Sequence, residues 1–384
     1  MVRRIFLTLL FTVAIAGSLF AAGKVTISGR VRAYKDFFFK TDSDQVSVTS
    51  YDPYLSVYKA KVDAGGNFTL SFPKAFTGDV EFKFADNAAI QVMVSPGDHQ
   101  YYVIEPFAVK TIVNFSGNHA EINRQMSAYL KDRADVWVLK GPQKSPPTKS
   151  RFGAEPETFE RKKAFLESYI KTHQLSPLFL RWAKADIDYH YASRIIQIKT
   201  SQHSSISDTV FFRQFPLDNA ESLVASSYLN FLSVVRSSEI YSSPQVNTIV
   251  VYGTDINYEQ VYHSLKFKDR EKYDQMLKYS NLIHSVILEN LSRPDSVRKY
   301  TMMQADRFAV DYMNANTSGL VKDYFFANYM LAALGLESKK APIDYRYPML
   351  LAAYKKSVDN RKYSKLLEEA YESFEGKHWL DAKD

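Results

Sequence analysis

The spacing of apolar residues changes character once, near Asn118, and that single change restricts the chain to few architectures. Upstream, Val25-Thr26-Ile27-Ser28-Gly29-Arg30-Val31, Phe68-Thr69-Leu70-Ser71-Phe72 and Val80-Glu81-Phe82-Lys83-Phe84 each alternate, which is the period of a strand with one buried face. Downstream, Ile122, Met126, Tyr129 and Leu130 share one helical face, and helical spacing then persists almost to the C-terminus. The expected class is therefore α+β: an N-terminal antiparallel β-sandwich followed by a mainly α-helical domain. Residues 24–116 form the first unit in this reading and residues 117–384 the second.

Further strands are expected at Val46-Ser47-Val48, from Tyr54 to Val62, from Ile90 to Val94 and from Tyr101 to Glu105. Two layers are required, because a single sheet would leave the apolar side of every strand in water. Asp63-Ala64-Gly65-Gly66-Asn67 reads as a tight hairpin turn, its glycines supplying positive backbone angles. Ser95-Pro96-Gly97-Asp98, between two extended runs, reads as a second hairpin. Asn118-His119-Ala120-Glu121 has the form of a helix start, with an Asn cap and a Glu three residues on.

Roughly nine helices are expected from there onward. Ser176-Pro177 and Asp218-Asn219-Ala220-Glu221 announce two of them, the latter as a capping box. Tyr273 to Leu291 and Val297 to Met313 keep helical spacing around a break at Pro294, and Leu320 to Leu334 is expected to stop at Gly335. Pro348 to Val358 and Tyr363 to Phe374 follow, the last ending at Gly376. Residues 141–153, with Pro142, Pro146 and Pro147, read as a polar linker.

The first residues add a location. Arg3-Arg4, an uncharged run from Ile5 to Phe20 and the small residues Ala21-Ala22-Gly23 follow the order of a signal peptide, so residues 1–22 are expected to be cleaved and the mature protein to be periplasmic. The chain has no cysteine, which rules out disulfides, thiol nucleophiles and Cys-ligated zinc within it. The formal charge of +7 falls to 7 − 2 = +5 without Arg3 and Arg4, and the basic residues are scattered among acids rather than gathered on one face. That pattern argues against nucleic acid as a partner. Contact with a membrane is expected only through the signal peptide.

No catalytic, cofactor-binding or metal-ligating residue can be assigned. Asp186-Ile187-Asp188-Tyr189-His190 is the densest polar cluster, and Asp186 and His190 share a helical face, but two ligands do not make a metal site. His99, His119, His173, His203, His263, His284 and His378 are dispersed. Ser207-Asp208 and Ser237-Ser238-Glu239 lack the surroundings of a nucleophile elbow, and Glu368-Glu369 reads as a solvated helix face. Glycine-rich phosphate loops are absent.

Several short motifs carry a resemblance. These are Ile27-Ser28-Gly29 in the first strand, Gly66-Asn67-Phe68 after the turn, Val94-Ser95-Pro96-Gly97-Asp98, Phe115-Ser116-Gly117-Asn118, and Ser176-Pro177-Leu178-Phe179 leading to Asp186-Ile187-Asp188-Tyr189. Together they resemble the N-terminal accessory region, a β-domain plus helices, of exported thiol-disulfide oxidoreductases of the TlpA/ResA type. The resemblance spans about Lys24 to Leu232. In such proteins a thioredoxin domain with a Cys-x-x-Cys pair follows; this chain has no cysteine and reaches Asp384 about where that domain would begin, so no catalytic residue carries over. What the resemblance implies is a non-catalytic envelope protein that binds or presents a protein or peptide partner in a thiol-redox setting, without a cofactor. The alternatives are a peptide- or glycan-binding module unrelated to redox and a cysteine-independent hydrolase.

Overall fold

The structure is a computed structural model; it describes residues 23–32, 45–85, 88–106, 111–137, 155–201, 209–237, 306–337, 346–359 and 361–381. The expected signal peptide, the linker at 141–153 and the helical run from Tyr273 to Leu291 lie outside these residues. The strands are β1 (Gly23–Val31), β2 (Gln45–Ser50), β3 (Ser56–Lys61), β4 (Asn67–Lys74), β5 (Gly78–Ala85), β6 (Ala88–Val94), β7 (His99–Pro106) and β8 (Thr111–Gly117). They form two four-stranded sheets, ordered β4-β1-β7-β8 and β3-β2-β5-β6. Every pairing is antiparallel except β1 with β7, which run parallel.

Alternation builds the core between the layers. Val25, Ile27, Phe68, Leu70, Phe72, Tyr102 and Ile104 point inward from the first sheet to meet Val46, Val48, Val80, Phe82, Val92 and Val94 from the second. Phe82 lies edge-on to Tyr102 at 5.4 Å between ring centroids and ties the layers together. Each such ring contributes about 1.5–3 kcal/mol when fully buried, which is how eight short strands hold without a disulfide.

The two expected hairpins are corners between the sheets. β6 pairs with β5 in one sheet, whereas β7 pairs with β1 and β8 in the other. Likewise β3 belongs with β2, and β4 with β1. The turns themselves are tight: the Asp63 carboxylate accepts the amides of Gly65 and Asn67, both at 2.8 Å, and Gly66 takes φ 81°. What redirects them is β1, whose amides reach the corner carbonyls. Val31 N donates to Gly66 O and Thr26 N to Asp98 O, both at 2.8 Å. Alternation reveals which face of a strand is buried, but not which sheet the strand joins.

The helices are α1 (Ala120–Trp137), α2 (Glu155–Thr172), α3 (Pro177–Ser201), α4 (Thr209–Gln214), α5 (Ser226–Val235), α6 (306–316), α7 (Gly319–Glu337), α8 (Arg346–Ser357) and α9 (Ser364–Asp381). α1 places Ile122, Met126 and Tyr129 inward while Glu121 and Arg124 pair in solvent. α7 buries Tyr324, Phe325, Phe326, Ala327, Tyr329 and Met330 in close succession, as a helix enclosed on several sides must. Ser176 caps α3 as expected, its hydroxyl accepting Phe179 N at 3.2 Å.

Other start and stop signals gave way to tertiary contacts. Asn118 does not cap α1; its side-chain oxygen accepts His99 N at 3.0 Å, and the chain enters α1 through Gly117 and His119, at φ 83° and 57°. The expected box at Asp218 to Glu221 yields a 3-10 turn, Ala220–Val224, with no side-chain cap: Asp218 accepts the Ser318 hydroxyl at 2.6 Å, and Asn219 donates to the Tyr189 hydroxyl at 2.9 Å. α7 and α9 run past Gly335 and Gly376, a glycine costing only about 1 kcal/mol inside a helix that is otherwise well supported. No helix among the described residues is long and apolar enough to cross a membrane.

Candidate functional site

The buried polar groups concentrate along the seam where sheet meets helix. At the β6–β7 corner, Asp98 Oδ2 accepts Ser95 N at 2.7 Å and Gln100 Nε2 at 3.1 Å. Gln100 stands on the buried face of β7 beside Tyr102, whose hydroxyl donates to Gln100 Oε1 at 2.5 Å. From α1, Asn123 accepts Met93 N at 2.6 Å and donates to Gln100 Oε1 at 3.1 Å. β6 is an outer strand of its sheet, so the Asn123 side chain takes the place of a neighbouring strand at Met93.

His119 closes this corner. Its Nε2 lies 2.7 Å from Ser95 Oγ and 3.4 Å from Asp98 Oδ2, and Ser95 Oγ is also 2.7 Å from Thr77 Oγ1. Ser, His and Asp thus come together, yet not as a relay. In a catalytic triad the carboxylate holds one ring nitrogen while the other takes the serine proton. Here both partners face the same nitrogen, so the carboxylate cannot orient the ring for proton abstraction, and the cluster acts as a clamp.

A second group lies where α5, α7 and α9 grip the β2–β3 loop. Asp52 is buried, accepts Ala75 N at 2.9 Å and the Tyr363 hydroxyl, and lies 3.6 Å from the equally buried Lys74 Nζ. Tyr324 donates to Tyr51 O at 2.9 Å, Asn328 to Pro53 O at 2.8 Å and Lys362 Nζ to Ala75 O at 3.0 Å. Arg236 completes the grip by donating to Asn328 Oδ1 at 2.6 Å. Burial is the main force raising the Tyr324 and Tyr363 hydroxyls far above their ordinary range, so both stay protonated donors.

The third group joins β5 to the helices. Asp79 accepts Ser226 N at 2.5 Å and Ser226 Oγ at 3.0 Å, capping α5 from 147 residues away in sequence. Burial, and next the negative charge of Asp186, push the Asp79 carboxyl up to about 6. Asp186 is itself held by Arg133 at 2.7 Å. On α7, burial also raises Asp323 to about 6, against the opposing pull of the Tyr354 hydroxyl at 2.6 Å and Lys362 N at 2.7 Å.

The residues singled out in the sequence fare differently. Asp186 and His190 share a helix, but Asp186 is buried in its pair with Arg133 while His190 is exposed. Asp188 is partly buried and its carboxyl is raised by burial. Among the described residues no three His, Asp or Glu side chains gather as a metal site. Ser207, Asp208, Ser238 and Glu239 lie outside the described residues, and Ser237 donates to Ser233 O at 3.1 Å within its own helix turn. Glu368 pairs with Lys355 at 2.7 Å and Glu369 with Lys365 at 3.5 Å in solvent. Sequence reasoning missed Ser95 and Asp98, which looked like turn residues, and Asp52, which it did not single out; Gln100 on an apolar strand face was the one visible signal.

Among the described residues most of the seam's polar groups are thus held, the exceptions being Lys74 Nζ, which has the Asp52 charge 3.6 Å away but no hydrogen bond, and Arg236 Nε. Protein-family models give no match to the chain, and curated proteins give none either.

Proposed function

We propose that this is a non-catalytic, exported protein of the periplasm, whose β-sandwich and helices form a rigid carrier that binds or presents a protein partner in a thiol-redox setting of the cell envelope. The observation that supports this reading best is the geometry at His119, where Ser95 and Asp98 share one ring nitrogen and leave no relay. The absence of cysteine agrees with it, since a carrier in a thiol-redox setting need not itself exchange disulfides. The resemblance to the accessory region of TlpA/ResA-type oxidoreductases rests on turn and cap residues, and Gly66, Gly97 and Gly117 take the positive φ angles that such turn motifs require.

The test has two arms. Purified protein should leave insulin disulfides unreduced with dithiothreitol present only at background level, and turnover above that background would refute the reading. In cells of the native host, crosslinking through photoreactive residues at several surface positions should trap a thioredoxin-fold protein. Trapping no protein at any position would refute partner binding.

A further inference from the structure

β3 is an outer strand of its sheet, and among the described residues only β2 pairs with it. Its inner face is fixed: Tyr58 stacks on Phe72 with ring centroids 5.6 Å apart, and Ala60 packs on the sandwich core. Its outer face is divided. Leu55 and Val57 expose 51% and 55% of their surface, more than any other large apolar side chain described except Val210. Lys59 and Lys61 continue the same stripe, and the register Lys59↔Ser47↔Lys83 puts a third lysine in the row of the first. None of the three has a carboxylate partner among the described residues.

Edge lysines by themselves are a common guard against unwanted strand pairing. A guarded edge, however, gains nothing from two exposed aliphatic residues in the same stripe, since these add the stickiness that the lysines would suppress. An apolar half beside a cationic half, along a row of main-chain groups that no described strand pairs, suits a strand of complementary pattern. We infer that the outer edge of β3, which no described strand covers, docks an extended segment of a partner protein, which adds as a further strand with apolar side chains against Leu55 and Val57 and acidic ones against Lys59 and Lys61. Lys83, two strands further in, adds only to the positive potential of that row. Main-chain groups left unpaired among the described residues favour a peptide over an anionic lipid surface, which would meet the lysines but leave the edge unpaired. This inference rests on the partner-binding reading above and names the surface for it.

The test uses the full chain and two synthetic peptides, one with two valines followed by alternating glutamates and one with lysines in place of the glutamates. Fluorescence anisotropy should show saturable binding of the acidic peptide alone. Lys59→Glu with Lys61→Glu should weaken it at least tenfold and confer binding of the basic peptide, and Val57→Lys should weaken the acidic peptide without that swap. Circular dichroism melts of each variant confirm folding. Lack of saturation, equal binding of both peptides, or indifference to the lysine reversals would overturn the inference. Trapping at helical surface positions but not at Val57 would also overturn it while leaving the partner-binding reading intact; trapping at neither would remove both.

Discussion

Asp79→Asn isolates one carboxylate whose ionisation the fold resists. Asp79 has a folded pKa of about 6 against an ordinary 3.8, so between those values the folded protein holds a proton that the unfolded chain releases. The stability this confers is complete below about pH 3.8 and is lost as pH rises through 6. At about 1.4 kcal/mol per pH unit, the gap of roughly two units corresponds to about 3 kcal/mol in all, and to about 2 kcal/mol between pH 4 and pH 8. Asparagine keeps the shape, accepts Ser226 N and donates to Ser226 Oγ, but has no charge to desolvate. The stability difference between Asp79→Asn and the parent, measured by urea denaturation across pH 4–8, should therefore shift toward the variant by about 2 kcal/mol. Taking the difference between two proteins cancels the titrating groups that do not act on Asp79, Asp323 included, but not Asp186, whose charge is part of what the substitution removes. The opposing force is the amide end of α5, which favours a carboxylate by roughly 0.3–1 kcal/mol and reaches about 2 kcal/mol in favourable sites. A variant that loses ground as pH rises would show that the helix end outweighs burial, and would refute the reasoning.

Three further outcomes follow from the seam and the sandwich. Asn123→Leu strips Met93 N of its partner in a buried place, while Gln100 Oε1 keeps the Tyr102 hydroxyl, and should cost about 1–3 kcal/mol in urea denaturation, the penalty of one unsatisfied donor. Gly29→Ala would set its Cβ 2.2 Å from Tyr102 O and 2.7 Å from the Phe68 ring; β1 must move, and expression of folded protein should fall sharply, as read by gel filtration. Tyr363→Phe leaves Asp52 with Lys74 and the Ala75 amide, and thermal melts should show a loss of about 1–3 kcal/mol.

The architecture was legible because two periods, one of two and one of 3.6, occupy separate halves of the chain. Layer assignment was not. Ser95-Pro96-Gly97-Asp98 has the composition of a hairpin, and it becomes a corner because β7 pairs with β1, a strand some 70 residues earlier, beginning with the bond from Thr26 N to Asp98 O. The caps at Asn118 and Asp218 failed for a related reason, since each side chain found a partner outside its own helix, at His99 and Ser318. The seam was equally hidden, because its bonds join residues as far apart as Asp52 and Tyr363.

One role recurs among the buried aspartates. Asp52 takes the amide of Ala75, Asp79 that of Ser226, Asp98 that of Ser95 and Asp323 that of Lys362. Each amide lies at or near the end of a strand or helix, where the regular ladder leaves donors without partners. Except at Asp98, which closes its own turn, the carboxylate comes from elsewhere in the chain, satisfies that donor and fixes the angle at which the two elements meet. Buried charges contribute little net stability but penalise alternative packings, since moving either element would strand a carboxylate in an apolar interior. The work of Asp79 and Asp323, both pushed up to about 6 by burial, is therefore orientation: Asp79 sets β5 against the start of α5, and Asp323 sets α7 against α8 and the turn into α9.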